Sequence, residues 1–252
     1  MTPSFLVVGT KRGGSTSAYH WITRHPAIAP CRALKGTHYF DVNYRRGAGW
    51  FRSKFEPVSA GFQITGEASP YYMFHPLAPS RIAQALPDVK LIVVLREPVA
   101  RLWSHHQYEM ARGHEHLPLA QALEAEPSRL RGEVERMLAD PAYESFSHRH
   151  HSYLSRGHYA EQLERLLELF TVQRVLVLQS ERLFAAPNAE LAKVWDFLDV
   201  PRVELTGLAP MKAGHYSAMP EAEARALREH YEVHNRRLYS LPGIDFTWGV
   251  SV

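Results

Sequence analysis

The 252-residue chain contains one cysteine, Cys31. A single thiol excludes an internal disulfide framework and a multi-cysteine zinc centre, and it is compatible with a reducing compartment. Long apolar runs are missing as well. The longest, Phe5 to Val8 and Leu91 to Leu95, fall far short of the roughly 20 residues of a membrane-spanning helix. Met1-Thr2-Pro3-Ser4 places no basic leader before the first of them. The expectation is a soluble, cytoplasmic protein with no membrane partner. No block of like charge stands out either: 29 Lys+Arg against 26 Asp+Glu leave a formal charge of only +3, which argues against a nucleic-acid partner or an acidic tail. Internal repeats and low-complexity tracts are absent, and no exposed heptad or edge strand fixes an oligomeric state. Histidine is what the chain has in excess. Its 15 residues give room to become more cationic below neutral pH.

Phe5-Leu6-Val7-Val8 is a continuous apolar run closed by Gly9, as expected of a strand buried on both faces of a parallel sheet. A glycine-containing turn follows, and residues 15–24 read as a helix with Ser15 or Thr16 placed to cap it. Further strands are expected at Gln63-Ile64-Thr65, from Val89 to Leu95 and from Arg174 to Leu178. Helices are expected over residues 99–112, with Pro98 in the first turn, and over 159–170, 191–198 and 221–239. Strand and helix alternate, which predicts a single α/β domain over residues 1–252 with ligands beyond the carboxyl ends of parallel strands. Residues 114–156 show helical stretches, at 117–125 and 128–138, but no strand, and read as a helical insertion or lid.

The turn Gly9-Thr10-Lys11-Arg12-Gly13-Gly14-Ser15-Thr16 lies between the first strand and the first helix. Backbone amides and the positive helix end favour an anion there, and glycines allow its close approach. The spacing is that of the nucleotide loop G-x-x-x-x-G-K-[ST], with Gly9, Gly14 and Thr16 in register but Ser15 where the lysine would stand. The cations have moved upstream to Lys11 and Arg12. Such a loop suits a 5'-phosphate group and is poorly equipped for magnesium-assisted phosphoryl transfer. A second grip is expected at Arg96, which ends the strongest strand, with Ser104 eight residues later on the next helix.

With both elements in this order, the sequence resembles the sulfotransferases that use 3'-phosphoadenosine 5'-phosphosulfate (PAPS), especially the branch shared by heparan-sulfate sulfotransferases and bacterial enzymes. The resemblance takes in Lys35 to Asp41, Gly66 to Tyr72, Gly157-His158-Tyr159 and a closing pattern from Tyr231 to Trp248. It implies the sulfotransferase fold, a P-loop-type parallel sheet flanked by helices. It also implies that Lys11, Arg12, Gly13, Gly14, Ser15 and Thr16 bind the 5'-phosphosulfate, that Arg96 and Ser104 of the R-E/D-P-x-x-R-x-x-S element bind the 3'-phosphate, and that Lys212 belongs to a basic loop over the nucleotide. The reaction implied is transfer of a sulfuryl group to a hydroxyl of a small-molecule or glycan acceptor, without a metal.

Three departures from the family pattern matter. Arg12 stands where lysine is usual, so neutralisation of the leaving group falls to Arg12 or Lys11. Gly36 stands where the glycosaminoglycan branch carries its glutamate base. The disulfide-braced loop and membrane anchor of the eukaryotic enzymes are not expected here. His38 is the nearest replacement base, because an imidazole ordinarily titrates near 6.5; a histidine hydrogen-bonded within its loop is the equal alternative. Asp41 either orients His38 or caps a helix. Glu67, at the end of the second predicted strand, is the rival base or else a carboxylate that anchors loop amides. Trp50, Phe51, Phe55, Tyr71 and Tyr72 are candidates for an acceptor pocket or for core. His148, Arg149, His150 and His151 lack the spacing and carboxylate partners of a zinc site and read as a cationic rim. Two other functions compete: a nucleotide-binding module without turnover, and, less well matched, an ATP-dependent kinase.

Overall fold

A computed structural model describes residues 2–33, 36–55, 61–211 and 218–249. In chain order the strands are β1 (Phe5–Gly9), β2 (Ile28–Ala29), β3 (Ile64–Ala68), β4 (Lys90–Leu95) and β5 (Val175–Gln179). The helices are α1 (Ser15–Ile22), α2 (Gly47–Arg52), α3 (Ala78–Ala85), α4 (Pro98–Ala111), α5 (Leu119–Leu130), α6 (Glu133–Ala139), α7 (Phe146–His150), α8 (Tyr159–Leu167), α9 (Ser180–Ala185), α10 (Pro187–Leu198) and α11 (Glu221–Tyr239). They gather into two compact units, one from Met1–Arg96 and Arg165–Ala213, the other from Glu97–Glu164 and Gly214–Val252.

The first unit holds the sheet, five parallel strands in the order β2-β3-β1-β4-β5. The apolar run of β1 is fully buried because strands flank it on both edges, with Leu6 beside Glu67 of β3 and Leu91 of β4. From β1 the chain winds to one side, then crosses to the other between β3 and β4. The loops leaving these three neighbouring strands therefore open at one carboxyl edge, at the point where the winding reverses. Phe5, Val7, Trp21, Ile92, Val94, Leu178 and Trp195 share the core, each burial of a Val or Leu side chain being worth about 1.5–3 kcal/mol.

In the second unit Val99 and Leu102 of α4, Leu119 and Ala122 of α5, Tyr153, and Leu227 and Tyr231 of α11 form a separate core. Its turn at residues 153–155 is pinned by the buried Glu126, whose carboxylate accepts from the amides of Tyr153 (2.8 Å), Leu154 (2.7 Å) and Ser155 (2.9 Å). The fully buried Arg101 donates to the Tyr153 carbonyl. Arg101, the middle arginine of the R-E/D-P-x-x-R-x-x-S element, is thus a brace of this unit.

Several sequence expectations are corrected. Neither Ser15 nor Thr16 caps α1: Gly14 holds the cap position, in the left-handed region with φ 100°, and makes no side-chain cap bond. The expected break before Ser128 is absent, since α5 runs through Pro127 to Leu130 and the chain turns at Gly132, φ 73°. The two residues of β2, and α2, α3, α7 and α9, are too short for their apolar periodicity to stand out.

Candidate active site

Geometry at the carboxyl edge begins with the glycine turn. The Thr10 amide donates to the Val94 carbonyl at 3.0 Å and the Gly13 amide to the Thr10 carbonyl at 2.9 Å, which seats the turn between β1 and β4. Packing is tight enough to require glycine: a Cβ on Gly13 would lie 2.5 Å from the Val94 oxygen, and one on Gly14 would lie 2.9 Å from the Phe184 ring. Arg12 adopts φ 72°, a conformation that costs a residue with a Cβ about 1–2 kcal/mol. Lys11 and Arg12 are half-buried, Ser15 is buried and Thr16 is exposed. Ser17, one position beyond the predicted set, accepts from the Met211 amide at 2.9 Å. Lys212 lies outside the described residues.

Arg96 follows β4 directly, and its Nη1 lies 3.5 Å from the Arg12 carbonyl oxygen. The structure therefore brings its guanidinium to the glycine turn. Glu97 caps α4 with both carboxylate oxygens, accepting from the amides of Val99 (3.0 Å) and Ala100 (2.7 Å). Ser104 is buried on α4, within the second unit.

The loop over the end of β3 is fixed from several sides. Glu67 is fully buried, and its carboxylate accepts from the Thr37 amide (2.8 Å), the Thr37 hydroxyl (3.1 Å), Ser69 Oγ (2.7 Å) and the Tyr72 hydroxyl (2.7 Å). Burial pushes this carboxyl up, while bonds from Ser69, Thr37 and Tyr72 and the nearby His38 pull it partly back. Tyr72 in turn accepts from the Tyr39 amide at 2.7 Å, and Arg81 donates to the Phe40 carbonyl at 2.9 Å. The result is a loop whose residues Thr37, Tyr39, Phe40 and Asp41 are buried while the His38 side chain keeps 26% exposure. His38 sits at φ 48°, its amide donating to Ser69 Oγ at 2.9 Å, and its Nδ1 lies 2.8 Å from Asp41 Oδ2. Asp41 also accepts from the Val42 amide at 2.6 Å; it caps no helix, the N-cap of the next helical turn being Asn43, so the structure supports the reading in which it faces His38 and not the capping one.

Gly36 has φ 82°, and a Cβ there would lie 2.0 Å from the Ala68 oxygen. This backbone excludes any side chain at position 36. Phe51, Phe55, Tyr71 and Tyr72 are core, with Phe51 stacked on Tyr39 at 4.6 Å. Trp50 alone of that group is half-buried, with Arg46 and Lys54 over its ring. His105 and His106, which follow Ser104 on α4, are both buried. The scaffold made by Ser69, Tyr72 and Arg81 was missed, because tertiary hydrogen bonding to a loop leaves no periodicity in sequence.

The chain matches the family model described as a sulfotransferase domain over residues 2–237. It belongs to the sulfotransferase family. Heparan sulfate glucosamine 3-O-sulfotransferase 6 of Homo sapiens is 31% identical over 280 residues, covering 98% of this chain and 74% of the relative. Heparan sulfate glucosamine 3-O-sulfotransferase 3B1 of Homo sapiens is 29% identical, covering 98% of this chain and 65% of the relative. A sulfotransferase from Alicyclobacillus acidocaldarius, solved by crystallography, superposes with a TM-score of 0.80 at 24% identity, covering 98% of each chain. The sheet of this sulfotransferase is thus the sheet of its family. No helix among the described residues is long and apolar enough to cross a membrane.

Proposed function

We propose that the chain transfers the sulfuryl group of PAPS to a hydroxyl of a glycan or small-molecule acceptor. The observation that carries the proposal is the approach of Arg96 Nη1 to the Arg12 carbonyl, 3.5 Å, because it joins two cationic elements far apart in sequence at one sheet edge. In this reading the amides of residues 13–16 and the N-terminus of α1 take the 5'-phosphate, where no acidic residue in the first turn opposes an anion. Arg96 takes the 3'-phosphate through charge-assisted bonds. A sugar hydroxyl is supported as acceptor by the heparan sulfate relatives.

The chemistry is an in-line displacement. The acceptor oxygen bonds to sulfur, the bond from sulfur to the bridging oxygen breaks, and the acceptor proton leaves. Nδ1 of His38 faces Asp41, which favours the tautomer with the proton on Nδ1 and makes Nε2 the basic nitrogen. His38 thereby does the work that Gly36 cannot. Lys11 and Arg12 neutralise the charge that develops on the departing oxygen, as preorganised cations do in related transfers. Arg12 and His38 both hold left-handed backbone conformations, and such strain concentrates at working sites. Glu67, with four donors on its carboxylate, positions the loop that carries His38.

Incubation with sulfur-labelled PAPS and a panel of hydroxyl acceptors, heparan sulfate oligosaccharides included, tests this. Labelled product formed with release of 3'-phosphoadenosine 5'-phosphate is expected. Tight PAPS binding with no labelled product from any acceptor contradicts it in favour of a binding module, and magnesium-dependent ATP consumption favours a kinase.

A further inference from the structure

We infer that the second unit carries a divalent transition-metal site built by Glu109, His114 and His150. These residues come from the end of α4, the turn after it, and α7, and their donor atoms lie within 4.8 Å of one another. His114 Nδ1 stands 2.8 Å and His150 Nδ1 2.9 Å from the same oxygen, Oε2 of Glu109. The two imidazole planes cross at 68°, so their in-plane lone pairs approach that oxygen from different directions. Glu109 is fully buried, His150 keeps 15% side-chain exposure and His114 34%, a gradient that leaves one entrance on the His114 side.

Two imidazoles and a carboxylate are the donor set of borderline ions such as Zn²⁺, Co²⁺ and Ni²⁺. Ligand distances near 2.0–2.2 Å put tetrahedral ligand atoms about 3.3 Å apart, so the nitrogens need retreat from Oε2 by only about half an ångström. On binding, the ion takes the Nδ1 lone pairs, any Nδ1 protons leave to solvent, and each ring keeps its Nε2 proton. Three protein ligands leave a fourth position for water or an anion. A second layer is in place: His105 Nε2 lies 3.3 Å from Glu109 Oε1 and its Nδ1 lies 3.3 Å from Arg101, while His151 Nε2 holds the His114 carbonyl at 2.9 Å. Phe146 stacks on the His150 ring at 4.5 Å. The sequence alone withheld this site because the carboxylate partner of His150 stands 41 residues away.

The other histidine cluster, His158, His230 and His234, fits an ion less well. The rings of His158 and His234 stack at 3.7 Å with planes 7° apart, and an ion cannot lie in both planes at once. It serves as the internal control.

The full chain, stripped of metal by chelation and dialysis, is titrated with Co²⁺ alone and followed by visible absorption and calorimetry. One Co²⁺ equivalent with ligand-field bands is expected; it is lost in His114→Ala and in His150→Ala and kept in His234→Ala. Glu109→Gln is expected to match the first two, and circular dichroism of each variant checks folding; His114→Ala, the most exposed of the three, decides the matter if Glu109→Gln does not fold. No uptake by the unmutated chain, uptake unchanged in a folded His114→Ala variant, or loss of the sole equivalent in His234→Ala overturns the proposal.

Discussion

In the proposed mechanism His38 takes the acceptor proton and Glu67 positions the loop that carries it. Glu67 has no exposure to an incoming hydroxyl and carries four donors, whereas His38 is the half-exposed member of an otherwise buried loop. Replacement of His38 by alanine is expected to lower kcat by about 10²–10⁴-fold with the affinity for 3'-phosphoadenosine 5'-phosphate held within a few-fold. Glu67→Gln, which leaves buried donors facing an amide, is expected to destabilise by about 1–3 kcal/mol. Melting curves and steady-state kinetics of both variants check this, and a Glu67→Gln protein of unaltered Tm but no turnover would assign the base to Glu67. Cys31 gives a separate residue-scale expectation. Burial pushes its thiol up to about 11, so little thiolate exists at neutral pH. A disulfide reagent at pH 7.5 is expected to label the chain only after denaturant is added; labelling of the native chain would contradict it. That Arg96 meets the glycine turn of Lys11 to Thr16 was legible in the sequence, because glycines and cations at the ends of buried strands leave marks at fixed spacing. The hub around Glu67 was not, since nothing local tells a proton acceptor from an anchor of loop amides.

At the scale of elements, one glycine sets what an edge loop can become. Gly36 carries φ 82° with the Ala68 oxygen 2.0 Å from where its Cβ would be, so a glutamate placed there would strain the loop. Gly36→Glu is expected to lower both Tm and turnover, measured side by side; a gain in kcat would show that the loop can rearrange to accept it. Long strands and helices declared themselves through composition. The apolar runs of β1 and β4, the proline opening α4 and the amphipathic α11, whose bounds coincide with the reading from sequence, are cases where local signals and tertiary burial agree. Where they failed, a longer-range interaction decided. β2 has only Ile28 and Ala29 but is held by β3 pairing and by Thr65 Oγ1 donating to the Ala29 carbonyl at 2.8 Å. The gap expected at residues 126 and 127 is helical in the structure, where α5 runs through Pro127 and Glu126 beside it binds the 153–155 turn.

The molecule as a whole is built from a sheet unit that carries the glycine turn and a helical unit with buried charges of its own. Two titratable groups of the helical unit predict how stability depends on pH. Burial pushes Glu115 up, but bonds from Arg129 and from the amides of Leu117 and His116 outweigh it and hold the carboxyl at about 2. Burial, with His234 and His230 beside it, brings His158 down to about 4. Ordinary values are near 4.3 and 6.5, so in both windows the unfolded chain binds the extra proton and stability rises with pH. His158→Gln is expected to flatten the rise between pH 4 and 6.5 in urea unfolding, and an unchanged slope would contradict that. The nucleotide site is the larger claim, and calorimetry of 3'-phosphoadenosine 5'-phosphate against adenosine 5'-phosphate, with the unmutated chain and Arg96→Ala, tests it most directly. A charge-assisted contact of about 1.5–3 kcal/mol corresponds to roughly 10–150-fold in affinity. The bisphosphate is expected to bind tighter by at least that lower factor, with Arg96→Ala erasing the preference and leaving adenosine 5'-phosphate unaffected; equal affinities in the unmutated chain would contradict the two-phosphate site.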